Sequence, residues 1–572
     1  GQTRRRLWEM LQGTTINRKG DVDTMKKFLT LALALLMVCM MLPVVAMAEE
    51  GAEGAGASSG PVEYWAGFTA DTKKESFATL EEAFAYAQAT EQANDGSHRV
   101  VIAANKEYEI TTNMVIPKNT YLDVLGKLTI AEGVTVTVPA NAKRLAAWSG
   151  GTIEGAGKVL VEGRGTYLYN ESSIMVNGAM NIDMIIVPEG YMLSKNNSSY
   201  FAAKAEFKIT YSDGTTKNIG KGDAWDGAAK VTLLDNVNEF TKTISGVADG
   251  FVLDLGGYTL SGKSDASTQV LSISVPMTIQ NGTIKYASSN KNCGALITST
   301  DVTIASNVTI DGGDGYGVWT DGYGHTLTVN GTIISNGYYA ITSNGSENGN
   351  LVTDSSIIIN KGAVVSVPNG IAIYHPEKGT VTINGGEISG HTGVEMCAGD
   401  LIVNGGSITS TGANMNATGS QNAIMDGAAI SVINRNYPGG IPTAKINGGT
   451  IRATGNGALA VKAYDYKGDV VAEWMDASEY VEVNGGTFYG EVNDLEKYIP
   501  ETSEVVSGES DGFVVRPKNT TIVIIRPTEE EKPAEDTKNP NTGANDLVGV
   551  AVALAVAALV SGAAVSMKKD NL

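Results

Sequence analysis

From about residue 230 the chain alternates apolar and polar positions in very short runs that stop at the same triplet. Val381 and Ile383 flank Thr382, Asn384-Gly385-Gly386 follows, and Ile388 resumes the apolar series. The form apolar-x-apolar-Asn-Gly-Gly-x-apolar returns at Leu401–Ile408, Ala444–Ile451 and Val481–Phe488. A period of two predicts strands whose side chains point alternately to either face. Asn and Gly accept a left-handed backbone, so Asn384, Asn404, Asn447 and Asn484 are predicted at equivalent bends. Asn-Gly is also the strongest short hairpin signal. Hairpin arms here would be only three or four residues long, however, and a further short run separates the triplets. Gly370–Ile373, Gly393–Met396, Ala429–Val432 and Leu459–Val461 are such runs, with Gly317–Trp319 and Tyr339–Ile341 earlier. Short strands and sharp corners recurring roughly every 20 to 36 residues predict a parallel β-solenoid. Val381, Ile383, Ile388 and Val403, rather than Ile402, are then expected in the core. Turn chemistry accounts for the triplet, which therefore reads as a bend rather than a ligand site.

Residues 49–167 read as a second, related unit. Thr79 and Glu82 form a capping box, and Leu80, Ala83, Phe84 and Ala87 share one face of the helix it starts. Such a helix would cover the open edge of a first coil. Val100–Ile102, Met114–Ile116, Tyr121–Val124, Leu128–Ile130 and Val134–Val136 are short strands, and Gly150–Gly163 continues the pattern. Residues 168–227 read as a β-rich insertion or connector. Within it Phe207–Ser212, an Asp213-Gly214 turn and Thr215–Ile219 form a hairpin.

Val231–Gly262, the Asn-Gly-Gly coils and Gly485–Val515 together resemble the right-handed parallel β-helix proteins of the pectin-lyase-like superfamily. More closely, they resemble the β-helical surface proteins of Gram-positive gut bacteria. The resemblance covers residues 228–517 and implies an all-β fold with the main right-handed parallel β-helix there.

The termini predict location. Met25-Lys26-Lys27, an apolar run over Leu29–Val45 and the small-x-small site Ala46-Met47-Ala48 read as a secretory signal peptide over 25–48, cleaved after Ala48. Residues 1–24 are expected to be a non-native upstream extension: Arg18-Lys19-Gly20-Asp21 can be written almost entirely in purine codons, as a translated ribosome-binding site would be. At the other end Leu547–Ser566 is an apolar stretch long enough to span a bilayer, and Lys568 and Lys569 place its far side in the cell. Asn539-Pro540-Asn541-Thr542-Gly543 precedes it. The order of motif, helix (547–566) and basic tail over 539–572 resembles a sortase cell-wall sorting signal, with Asn539 where Leu is commonest. That resemblance implies a sortase-type transpeptidase and peptidoglycan as partners, and cleavage between Thr542 and Gly543. Wall anchoring at the cell surface is the expectation, with a single-pass membrane protein carrying an extracellular domain as the alternative. Residues 518–541 read as a solvated linker.

Composition then narrows the chemistry. A net charge of −20 argues against nucleic acid as partner. Of three cysteines Cys39 leaves with the signal, and Cys293 and Cys397 make no disulfide framework. The superfamily includes lyases, hydrolases and esterases, yet fold alone does not license an enzyme. A polygalacturonase-like site implies Gly-His-Gly and Arg-x-Lys. Neither surrounds His98, His325, His375 or His391, so no catalytic residue is assigned. Gly312–Gly317 matches a calcium-binding nonapeptide only in part and stands alone, so no metal or cofactor is expected. Aromatic residues cluster instead. Tyr316, Trp319 and Tyr323, with Asp321 among them, form a candidate glycan platform, and Tyr338, Tyr339 and Tyr374 fall on following coils. Filling of a core is the competing reading of those rings. The expected work is non-catalytic adhesion or binding of extracellular glycans, against a polysaccharide lyase or glycoside hydrolase, or a structural stalk, as alternatives.

Overall fold

The structure, a computed structural model, describes residues 60–92, 96–163, 172–414, 424–467, 470–492, 495–508 and 512–518. It is built almost wholly of short strands in long parallel sheets, with the helix Leu80–Ala89 as its α-helix among the described residues. In the N-terminal part each coil gives one strand to each of three sheets. His98–Ile102, Glu107–Ile110 and Met114–Val115 are followed in parallel register by Thr120–Val124, Lys127–Ile130 and Thr135–Val138. Arg144–Ala147, Thr152–Gly155 and Lys158–Val161 form the next layer. The longer part repeats the scheme with a 12-stranded and a 19-stranded sheet. This is the solenoid-like, all-β arrangement that the alternation implies.

The register produces the core. Leu253, Ile279, Ile304, Val329, Ile359, Ile383, Val403, Ile446 and Val483 are successive Cα partners, and all are buried. Full burial of such a side chain stabilises by about 1.5–3 kcal/mol, so each coil is held chiefly by the layers above and below it. Val381, Ile388 and Val403 point inward and Ile402 is only half-buried, because alternation allows one of each adjacent pair inside.

Each residue of the Asn-Gly-Gly triplet has its own reason. The asparagines stack: Nδ2 of Asn384, Asn404, Asn447 and Asn484 donates to Oδ1 of Asn360, Asn384, Asn404 and Asn447 over 3.2, 3.0, 3.0 and 3.1 Å. The left-handed backbone falls on the second glycine, with φ of +83°, +87°, +96° and +123° at Gly386, Gly406, Gly449 and Gly486. The asparagines themselves do not adopt it. The first glycine lies against the neighbouring coil: a Cβ on Gly485 would meet the Asn447 carbonyl at 2.6 Å.

Antiparallel elements close the open edges. The capping box forms as read, with Thr79 Oγ1 accepting from Glu82 N and Glu82 Oε2 from Thr79 N, each at 3.2 Å, and Leu80, Ala83, Phe84 and Ala87 are buried. The hairpin Phe207–Tyr211 with Thr216–Ile219 pairs antiparallel to the first long-sheet strand, Ala228–Leu233. Phe513–Pro517 does the same for Gly486–Tyr489 at the far end. Residues 172–204 add strands to the N-terminal sheets, and the hairpin belongs to the second core. The described part of 168–227 thus contributes to both cores.

Candidate functional site

Where the strands of the 19-stranded sheet run toward their last corner, the outward positions carry chemistry. Val318 is buried, so Trp319 points outward, where it is half-buried. Its ring centroid lies 5.3 Å from that of Tyr316, which is itself buried. Asp321 is exposed and accepts from Gly322 N over 2.9 Å, closing a turn in which Gly322 has φ +97°. Tyr323 is 46% exposed and opens the next strand, Tyr323–Val329, which belongs to the 12-stranded sheet. The stretch therefore brings Tyr316 and Trp319 together and places Asp321 and Tyr323 around the corner. Along the sheet, Tyr338 and Tyr339 lie 6.3 Å apart, and Tyr339 stacks on Tyr374 at 5.4 Å and 24°. Tyr316, Tyr339 and Tyr374 are in a buried cluster outside the main core, with Trp319 and Tyr338 at its margin.

Farther along the same outward row the rings give way to carboxyls. Tyr374 pairs in register with Glu395, Glu395 with Ser431, and Ser431 with Lys462. The segment Ile424–Ala428 covers them. Ile424 N donates to both Glu395 oxygens at 3.2 and 3.3 Å, Gly427 N to Thr392 Oγ1 at 3.0 Å, and Ala428 N to Asp426 Oδ1 at 3.0 Å. Asp426 also accepts from Ser431 Oγ at 2.8 Å and Tyr464 OH at 3.1 Å. Burial, reinforced by the Asp426 charge, pushes the Glu395 carboxyl up to about 8. Burial also raises Asp426, against the pull of Lys462. Arg435 stacks over Tyr437 and Tyr466 at 5.0 and 4.6 Å, and its charge acts on Glu395 in the opposite sense.

A second polar group fills the inside of that corner. Thr320, Ser343 and His375 end successive strands, and His325 and Ser355 face them from the 12-stranded sheet. Ser355 hydrogen-bonds Glu377 Oε1, and Thr320 Oγ1 donates to the same oxygen at 3.2 Å. His375 presents Nε2 to the Ser355 carbonyl at 3.0 Å and Nδ1 to that of Ala398 at 3.4 Å. Burial lifts Glu377 to about 7 and lowers His375 and His325.

Sequence reading located the rings but not this carboxyl system. The alternation Val394-Glu395-Met396-Cys397 does place an acid outward, which was the available signal. That Asp426 meets it depends on a covering segment with no periodic pattern. Among the described residues no group of three or more His, Cys, Asp or Glu is arranged to hold a metal ion. Ala48 and its signal peptide, Asn539–Gly543 and the stretch 547–566 lie outside the described residues, among which no helix is long and apolar enough to cross a membrane. No protein-family model, curated protein or solved structure matches the chain.

Proposed function

We propose that this is a secreted, cell-wall-anchored surface protein, a right-handed parallel β-helix of pectin-lyase-like type, that binds extracellular glycans on its outer face. The observation that carries the binding is the row of rings running from the half-buried Trp319 beside Tyr316 to Tyr338. Apolar ring faces bordered by polar groups suit the C–H faces of sugars. Successive coils repeat at about 4.8 Å, so neighbouring rings can meet neighbouring units of a chain. A glycan array on the purified ectodomain tests this. Binding lost in Trp319→Ala supports it, and no binding to any glycan leaves the stalk reading.

One observation favours a polysaccharide-degrading enzyme as the second reading. Glu395 and Asp426 share the outer face with Arg435, and both carboxyls hold their protons above the usual range. Raised carboxyls are what general-acid cleavage uses. Yet Asp426 is already saturated by Ser431, Tyr464 and Ala428, and Glu395 by the Ile424 amide. These bonds fasten the covering segment, and that role suffices to explain them. Lyase and hydrolase assays on array hits, with Glu395→Gln as control, decide between the two.

The anchoring rests on the motif alone. Thr542→Ala is expected to abolish release of the protein by wall digestion, because a sortase forms its acyl intermediate through the Thr542 carbonyl. Equal release of mutant and wild type would remove this part of the proposal.

A further inference from the structure

Near the end of the outward row a lysine and an asparagine are in contact. Lys462 Nζ lies 3.0 Å from Asn414 Oδ1, and the two residues are far apart in the chain. Neither is held loosely. Lys462 stands on the strand Val461–Lys467, half-buried, with its Nζ 5.0 Å from the Tyr464 ring centroid. Asn414 is exposed, but its backbone is tied down: Thr411 N, Gly412 N and Asn414 N donate to Gly390, His391 and Asn456 carbonyls, each at 3.0 Å. Gly412 also stacks so closely on Gly455 that a Cβ on the latter would meet the Gly412 carbonyl at 1.7 Å. The buried Asp426 acts electrostatically on Lys462. Its carboxyl bonds Ser431, the in-register neighbour of Lys462, and Tyr464, two residues along the same strand face.

We propose that Lys462 and Asn414 become joined by an intramolecular isopeptide bond. The uncharged Lys462 amine attacks Cγ of Asn414, forming a C–N bond. The bond from Cγ to Nδ2 breaks, one proton passes from the amine to the departing nitrogen, and ammonia leaves. Atoms balance without oxidant, metal or cofactor. Partial burial favours the neutral amine that the attack requires, and it lowers the lysine's proton affinity here. Fixing both partners makes the reaction unimolecular, the condition under which amides exchange at useful rates. The product would tie the loop at Asn414 to the strand Val461–Lys467.

Peptide mapping of the purified full chain, denatured before trypsin, tests the bond. The expected result is one branched peptide carrying Asn414 and Lys462, lighter than the two separate peptides by one ammonia, with no cleavage after Lys462. Lys462→Arg and Asn414→Ala should each release the two arms as separate peptides, and both changes are mild enough to leave the coils folded. Wild-type protein that yields free Lys462 and intact Asn414 after prolonged incubation overturns the proposal.

Discussion

Asn404 donates its side-chain amide to Asn384 Oδ1 over 3.0 Å while its own Oδ1 accepts from Asn447, so every amide in this row points the same way along the stack. The row extends upstream through Asn360, which donates to Asn330 at 2.9 Å. Aligned amides polarise one another, so an interior member matters more than a terminal one. Asn404→Ala removes two such bonds and strands one donor and one acceptor. Water reaches this surface corner and softens the loss, and a cost of about 1–2 kcal/mol is expected by chemical denaturation. Asn484→Ala, at the end of the row, should cost about half as much by the same reasoning.

The two glycines of one triplet should respond differently to the same change. Gly406 has φ +87°, and a Cβ there would sit 2.8 Å from the carbonyls of Gly385 and Gly386. Gly405 lacks a positive φ, and its nearest neighbour would be the Asn384 carbonyl at 3.3 Å. Gly406→Ala is expected to cost about 2 kcal/mol or more, since the left-handed region alone costs an L-residue about 1–2 kcal/mol. Gly405→Ala should cost less than 1 kcal/mol or so, because a small shift of the coil relieves it. Equal melting temperatures for the two variants would contradict this division of labour.

Buried carboxyls and imidazoles set opposing pH limits. Glu377 and Glu395 titrate at about 7 and about 8 in the folded chain, against an ordinary value near 4.3 when unfolded. Between those values the folded chain holds protons that the unfolded chain has released, so stability falls as pH rises from about 4 to 8. His98, His325 and His375 are lowered by burial, so the unfolded chain takes up more protons and stability falls as pH drops below about 6.5. The two trends overlap near pH 5 to 6, roughly, where each is incomplete. Glu395→Gln keeps the shape and removes the ionisation. At one unit per roughly 1.4 kcal/mol the variant should gain several kcal/mol over wild type at pH 9 and nothing at pH 4. Denaturation midpoints at those two pH values check it.

How much of this was written in the sequence depends on the range of the contacts involved. Val381, Ile383 and Val403 declare themselves because alternation is local and the solenoid only repeats it. Thr79 and Glu82 do so because a capping box spans a single turn. The asparagine row was foreseeable as a set of bends, but which member of the triplet takes the left-handed backbone was not. The strands Val364–His375 and Glu387–Met396 hide a corner in one continuous run, since the backbone stays extended through it. The meeting of Glu395, Asp426 and Lys462 could not be read at all. It depends on a covering segment whose course is set by hydrogen bonds to the side chains of Glu395, Ser431 and Tyr464, on three different strands.

Trp319 separates the proposed binding surface from the core it borders. Val318 inside and Trp319 outside follow from alternation, and the half-buried state follows from the Tyr316 ring packed against one side. Full burial of a tryptophan would make truncation cost about 3–5 kcal/mol. Loss of one packed face should cost about 1–2 kcal/mol, the scale of an aromatic pair with part of its area burial. Trp319→Ala is therefore expected to lower the melting temperature modestly while abolishing glycan binding. Trp319→Phe should restore the stability and part of the affinity, because a smaller ring still packs against Tyr316. Tyr323→Ala, at an exposed position on the next sheet, should leave the melting temperature unchanged, so any effect on binding there reports contact with the ligand. If Trp319→Ala binds glycan as wild type does, the row of rings is packing alone, and the stability loss would then be its whole effect.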